Sequence, residues 1–173
     1  MKRIAFAAVA GFGLLTTACA SRPEAPVEPE TPEVREEVRD TRPAEPAGPV
    51  PGSEQDFEVN AGDRVFYGYD QSTLTNEARE TLRRQAAWLA SYPNTRVLIA
   101  GNADERGTRE YNLALGARRA NAARDFLVSL GVEPARIETT SYGEERPVCR
   151  ESTEQCYALN RNATTTIQSG ATS

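Results

Sequence analysis

Three regimes of hydrophobic and polar spacing succeed one another along the chain. Lys2 and Arg3 are followed by an unbroken run of apolar and small residues from Ile4 to Leu15. Crossing a bilayer core of about 30 Å takes roughly 20 apolar residues, so this run is too short and reads as the core of a secretory signal. From Ala20 to Asp56 no periodicity survives. Pro and Glu interleave there, and eight of the chain's eleven prolines lie between Pro23 and Pro51. Such a segment buries too little to repay its ordering entropy and reads as a disordered tether. It would reach about 35 Å as a coil, or on the order of 110 Å in a polyproline conformation.

From residue 57 the spacing becomes that of packed structure. Val65-Phe66-Tyr67-Gly68-Tyr69 predicts a first strand. Thr75 caps a helix with Glu77 in its first turn, and Leu74, Ala78, Leu82, Ala86 and Leu89 recur every three to four residues. Asn94 ends it, and Arg96 to Ala100 is a second strand. After the loop Gly101 to Gly107, Thr108 caps a long helix whose stripe is Leu113, Ala117, Ala120, Ala123, Leu127 and Leu130, ending at Gly131. Ile137 to Tyr142 forms a third strand, residues 143–157 an irregular excursion, and Ala163 to Gln168 a fourth strand. Strands alternating with helices predict an α/β sandwich, with helices packed on a mixed four-stranded sheet. The last strand has no crossover helix before it and is expected to run antiparallel.

Charge and composition narrow the functions open to this fold. The net charge is −5 and histidine is absent. Nucleic-acid binding rests on Lys and Arg neutralising phosphate, so the sign argues against that partner and none is expected. Lacking the usual acid/base and metal ligand near neutral pH, the chain is expected to be no enzyme and to hold no metal or cofactor.

The apolar run leads through Leu15-Thr16-Thr17-Ala18 to Cys19. An ordinary signal peptide cleaved after Ala18 or Ala20 is one reading; the other, adopted for residues 1–18, is a lipoprotein signal that resembles a lipobox, with Thr16 where Leu or Val is usual. Cys19 is the residue that would carry the lipid. Residues 19–56 are the tether and 57–173 the folded domain. Ala20, rather than Asp, after the cysteine points to the outer membrane. Cys149 and Cys156, in the excursion, are expected to pair as a disulfide in an oxidising periplasm.

Candidate chemistry gathers between residues 101 and 121. Asn112, Leu115 and Arg119 are spaced by three and four, so they share one helix stripe, and Asp104 lies in the loop over that helix's start. A carboxylate, an amide and a guanidinium around an apolar floor suit a ligand end bearing both an ammonium and a carboxylate. The commoner assignments for such positions are a turn carboxylate and a solvated helix face, and spacing alone leaves both open. Gly101 and Gly107 read as positive-φ positions. Asp104 with Glu105 could be the acid and base of a hydrolase, but adjacent carboxylates rarely span the roughly 5–9 Å that chemistry needs.

The ordered motifs Ala103-Asp104-Glu105-Arg106-Gly107-Thr108-Arg109-Glu110-Tyr111-Asn112, Leu115-Gly116-Ala117-Arg118-Arg119-Ala120-Asn121, Gly131-Val132, Arg136-Ile137, Ser141-Tyr142-Gly143 and Asn160-Arg161 resemble the family of the outer-membrane protein A C-terminal domain. The resemblance covers about residues 60–168. It implies an OmpA-like βαβαβ-type fold and non-covalent binding of peptidoglycan through the diaminopimelate of its stem peptides. It also implies a place in the Tol envelope system, with the periplasmic protein TolB and other Tol proteins as partners, and an outer-membrane lipoprotein facing the periplasm. A wall anchor of the same fold outside that system is the alternative. Carried over by motif, Asp104 would hold the diaminopimelate ammonium and Arg119 its carboxylate. Asn112 and Leu115 would line the pocket, Arg161 would close it, and Tyr69 and Asp70 would form a wall. The chain departs from the family's pattern at Asn102, where His is usual, and at Asn162, where a second Arg is usual.

Overall fold

The computed structural model describes residues 48–172. The signal, Cys19 and the tether up to residue 47 lie outside the described residues. Four strands and four helices alternate as α1 (Glu54–Asp56), β1 (Arg64–Phe66), α2 (Asn76–Ser91), β2 (Arg96–Asn102), α3 (Arg109–Ser129), β3 (Ile137–Gly143), α4 (Glu154–Asn160) and β4 (Asn162–Ser169). A π-helical turn, Phe57–Ala61, continues α1, and a 3₁₀ turn, Pro134–Arg136, precedes β3.

The sheet order is β1-β4-β2-β3. β2 and β3 are parallel, joined through α3, whereas β4 runs antiparallel to both β2 and β1. This is the expected α/β sandwich with a mixed sheet and an antiparallel last strand. Side-chain alternation decides which face is covered. Val97, Ile99, Ala163 and Ile167 point into one core with Leu82, Leu89, Ala123 and Leu127 from α2 and α3. Thr164, Thr166 and Gln168 alternate with them on the other face. The caps fall where the sequence puts them: the Thr75 hydroxyl accepts from the Ala78 N–H at 3.1 Å and that of Thr108 from Tyr111 at 3.2 Å.

Five expectations change. The folded region starts before residue 57. Asp56 is buried, and its Oδ2 accepts from the Gly52 N–H and from Trp88 Nε1, both at 2.8 Å. Proline content hides this anchor, because one buried carboxylate fixes the end of a segment whose composition is tether-like. The first strand ends at Phe66, after which the chain turns away through Asp70 at φ 54°. The excursion is not irregular to its end: α4, capped by Thr153, begins inside it. On α3, Leu113 and Ala117 are only partly buried and Leu130 is exposed, while Asn112, Leu115, Gly116 and Arg119 face inward. The first half of that helix turns a polar face to the protein because a cavity lies beneath it.

The fifth is Gly101, which has no positive φ, unlike Gly107 at φ 117°. Its reason is proximity: a Cβ at residue 101 would sit 1.8 Å from the Gly116 carbonyl oxygen. β2 and α3 therefore touch backbone to backbone beside the cavity.

Candidate functional site

A cavity of about 260 Å³ opens where the end of β2, the loop after β1 and the start of α3 converge. Six of the seven expected ligand residues line it: Tyr69, Asp70, Asp104, Asn112, Leu115 and Arg119. Arg161 does not; it lies behind Asp104, with Nη1 at 3.2 Å from Asp104 Oδ2 and Nε at 3.1 Å from the Tyr67 carbonyl. It braces the carboxylate rather than closing the pocket. Arg106, Gly107 and Tyr111 complete the walls.

Asp104 hangs from the loop that Gly107 closes and is almost fully buried. Its Oδ1 accepts from the backbone N–H and Nε of Arg106, at 3.2 and 3.3 Å, and its Oδ2 from Arg106 Nη2 at 2.6 Å. Burial pushes this carboxyl up, but the bonds from Arg106 and Arg161 outweigh it and hold it below the ordinary carboxylate range. Arg106 lies between two rings, its guanidinium carbon 4.2 Å from the centroid of Tyr69 and 4.5 Å from that of Tyr157.

Arg119 has no exposed surface by residue yet reaches the cavity wall. Nε donates to the Gln71 carbonyl at 2.8 Å, Nη1 to Asn102 at 2.7 Å and Nη2 to Gly68 at 3.1 Å. Three carbonyls take part of its charge but no carboxylate is in contact, so burial pushes its pKa from 12.5 down to about 10. The arginine offers five N–H groups, and two find no acceptor among the described residues. A carboxylate entering the cavity would meet an under-compensated cation. Tyr67 steadies the helix behind it, donating its hydroxyl to the Arg119 carbonyl at 2.8 Å.

The remaining walls are fixed by their own bonds. Asn112 Nδ2 donates to Glu144 Oε2 at 2.5 Å and to the Arg106 carbonyl at 3.3 Å. Leu115 is buried as the apolar floor. At the rim the Tyr111 hydroxyl donates to Asp70, tying α3 to the turn after β1. The two departures from the family's pattern meet each other: Asn102 Nδ2 donates to Asn162 Oδ1 at 2.8 Å. That buried amide pair links the ends of β2 and β4 beneath the carbonyl that Arg119 grips.

Glu105, the other half of a hydrolase pair, faces away from the cavity, accepting from Ser152 Oγ at 2.7 Å and the Tyr157 hydroxyl at 2.9 Å. Cys149 and Cys156 are disulfide-bonded, with Cα atoms 5.2 Å apart. The bridge secures the excursion to α4, whose far end delivers Arg161. Sequence reasoning left out Arg106, Tyr111 and Glu144 as site residues. Tyr111 stands four positions before Leu115, so the helix period could have found it; for Glu144, distant in sequence, there was no local signal.

The OmpA family pattern matches residues 66–161. A peptidoglycan-associated lipoprotein of Mesorhizobium japonicum is 58% identical over 122 residues, which are 70% of this chain and 72% of that protein. One of Agrobacterium fabrum is 55% identical over 118 residues, 68% of this chain and 67% of the relative. Among solved structures, the peptidoglycan-associated lipoprotein of Burkholderia pseudomallei superimposes with a TM-score of 0.60 at 42% identity, over 61% of this chain and 90% of that one. The C-terminal domain of Helicobacter pylori MotB shares the fold alone, with a TM-score of 0.58 at 17% identity over 62% of this chain and 84% of that one. With the family pattern matched over residues 66–161 and identities of this level over most of the chain, the chain belongs to the OmpA family, among its peptidoglycan-associated lipoproteins.

Proposed function

We propose that this chain is a lipid-anchored envelope protein that grips peptidoglycan without cutting it. The observation that carries the reading is a single cavity in which Asp104 and Arg119 supply opposite charges over the Leu115 floor, with Asn112 between. Diaminopimelate in a stem peptide ends in an ammonium and a carboxylate on one carbon. The ammonium goes to Asp104, and the carboxylate takes the remaining N–H groups of Arg119. Charge-assisted bonds of this kind are the strong class, and the burial of Asp104 and Arg119 raises their worth. Tyr69 and Asp70 form the outer wall.

Cys19 anchors the chain in the outer membrane, the domain faces the periplasm, and the Pro- and Glu-rich stretch after Cys19 is the tether between them. The relatives' names and the family support this placement. Membership of the Tol–Pal system, with TolB and the other Tol proteins as partners, belongs to the same proposal. Cys19→Ser should leave soluble protein or unprocessed precursor. Cross-linking in cells that make the protein should recover TolB; a wall anchor outside that system would not capture it. For the site itself, purified protein should sediment with isolated diaminopimelate wall, free diaminopimelate should compete, and Asp104→Asn should stay in the supernatant. Undiminished sedimentation of that variant would reject the site.

A further inference from the structure

Asp104 is the carboxylate that should receive the ligand's ammonium, yet its oxygens are already occupied. Oδ1 accepts from the Arg106 backbone N–H and from Arg106 Nε, at 3.2 and 3.3 Å. Oδ2 accepts from Arg106 Nη2 at 2.6 Å and Arg161 Nη1 at 3.2 Å. A carboxylate offers about four lone-pair positions, so four donors fill it. An ammonium cannot be added to this group; it has to replace a donor.

The two arginines differ in what holds them. The Arg161 side chain is 9% exposed, and it is also fixed by the Tyr67 carbonyl and by Glu154 at 2.9 Å. The Arg106 side chain is 33% exposed, and it belongs to the cavity wall. Its Nη1 is already 3.2 Å from Glu154, and the rings of Tyr69 and Tyr157 flank its guanidinium. Glu154 and the two rings stand beside it as partners for a guanidinium that gives up Asp104. The arginine therefore has somewhere to go.

We propose that Arg106 is a displaceable arm, an internal stand-in for the ligand's ammonium that holds Asp104 in the empty protein and yields it on binding. The proposal rests on the reading of the cavity as a site for an ammonium and a carboxylate. The arm keeps Asp104 ionised and solvent-shielded while the cavity is empty, and it raises the threshold for entry. A cation without a carboxylate for Arg119 gains too little to dislodge it. Arg106 is thus a specificity residue that acts through Asp104.

Competition from within divides the intrinsic affinity by the closed-to-open ratio of the arm. A partly exposed bidentate pair favouring the closed state by roughly ten to one makes the expected change about tenfold. The test uses the full-length protein in detergent and a stem tripeptide ending in meso-diaminopimelate, titrated by calorimetry. Arg106→Gln should bind about tenfold tighter than wild type, and Arg106→Lys should fall between them. In ¹⁵N-labelled wild type, the Arg106 Nε–H signal should be protected in the free protein and should shift and exchange with solvent at saturation. Equal or weaker binding by a normally melting Arg106→Gln would overturn the arm, as would an Nε–H signal unmoved at saturation in wild type. If wild type does not bind the tripeptide at all, the reading of the cavity fails and takes the arm with it.

Discussion

Replacing Arg119 with Ala tests whether the cavity's cation is also a structural hub. The guanidinium ties three carbonyls, those of Gly68 and Gln71 in the turn after β1 and that of Asn102 at the end of β2. Stranding a buried acceptor costs about 1–3 kcal/mol. Asn102 is buried and bears that cost in full, whereas Gly68 is half-buried and Gln71 exposed, so water can replace the arginine there. Loss of a large buried side chain adds to the cost. Against it stands relief from burying a charge whose pKa burial has pushed down to about 10. The balance is a loss of about 2–4 kcal/mol, the scale of losing a large buried side chain and its hydrogen bonds together. Urea unfolding followed by circular dichroism should register it, with a melting temperature lower by roughly 10 °C. Arg119→Lys should recover less than half, because one ammonium cannot reach three diverging carbonyls. A stability change below about 0.5 kcal/mol, the scale of an ordinary surface substitution, would refute the hub. Binding measured on Arg119→Ala must therefore be compared at a temperature where the variant is folded.

Four further outcomes are expected. Asp56→Asn should cost about 1.5–3 kcal/mol at pH 7 by urea unfolding, since charge-assisted bonds from Gly52 and Trp88 weaken. Those bonds, that from Gly52 foremost, hold the folded carboxyl below its ordinary 3.8. Its stabilisation is therefore complete above that value and lost as pH falls through the lower folded one, so wild type and variant should converge in acid. Gly101→Ala should prevent stable folding, because its Cβ would lie 1.8 Å from the Gly116 oxygen. Gly131→Ala, in open space at φ 95°, should cost only about 1 kcal/mol by thermal melting. Replacing both Cys149 and Cys156 with Ser should lower stability by about 2 kcal/mol, the loop-entropy value for so short a closure, and indifference to reductant in wild type would deny the bridge.

Local physics made much of this legible. Thr75 and Thr108 marked their helix starts because a hydroxyl before an amphipathic run has one good use. Asp104, Asn112, Leu115 and Arg119 could be brought together because helix spacing and loop proximity are short-range. What escaped was decided at long range. Arg161 was expected at the pocket mouth, but the register of β4 against β1 and the brace on Tyr67 set it behind Asp104. Gly101 looked like a turn glycine, and only the closeness of α3 explains it. Asn102 and Asn162, sixty residues apart, are each an unexplained departure until β2 and β4 pair and join their side chains.

In the proposed function the cavity reads a zwitterionic ligand end with two charges at once. Sedimentation of the wild-type protein with two wall preparations tests it most directly, one with diaminopimelate stem peptides and one with lysine in that place. Lysine keeps the terminal ammonium and lacks the neighbouring carboxylate. Arg119 would then stay buried without its partner, a penalty of about 2–3 kcal/mol, or roughly 30- to 150-fold in affinity. Strong binding to the first wall and weak binding to the second is the expected result. Equal binding to both would contradict the role given to Arg119 and, with it, the proposed site.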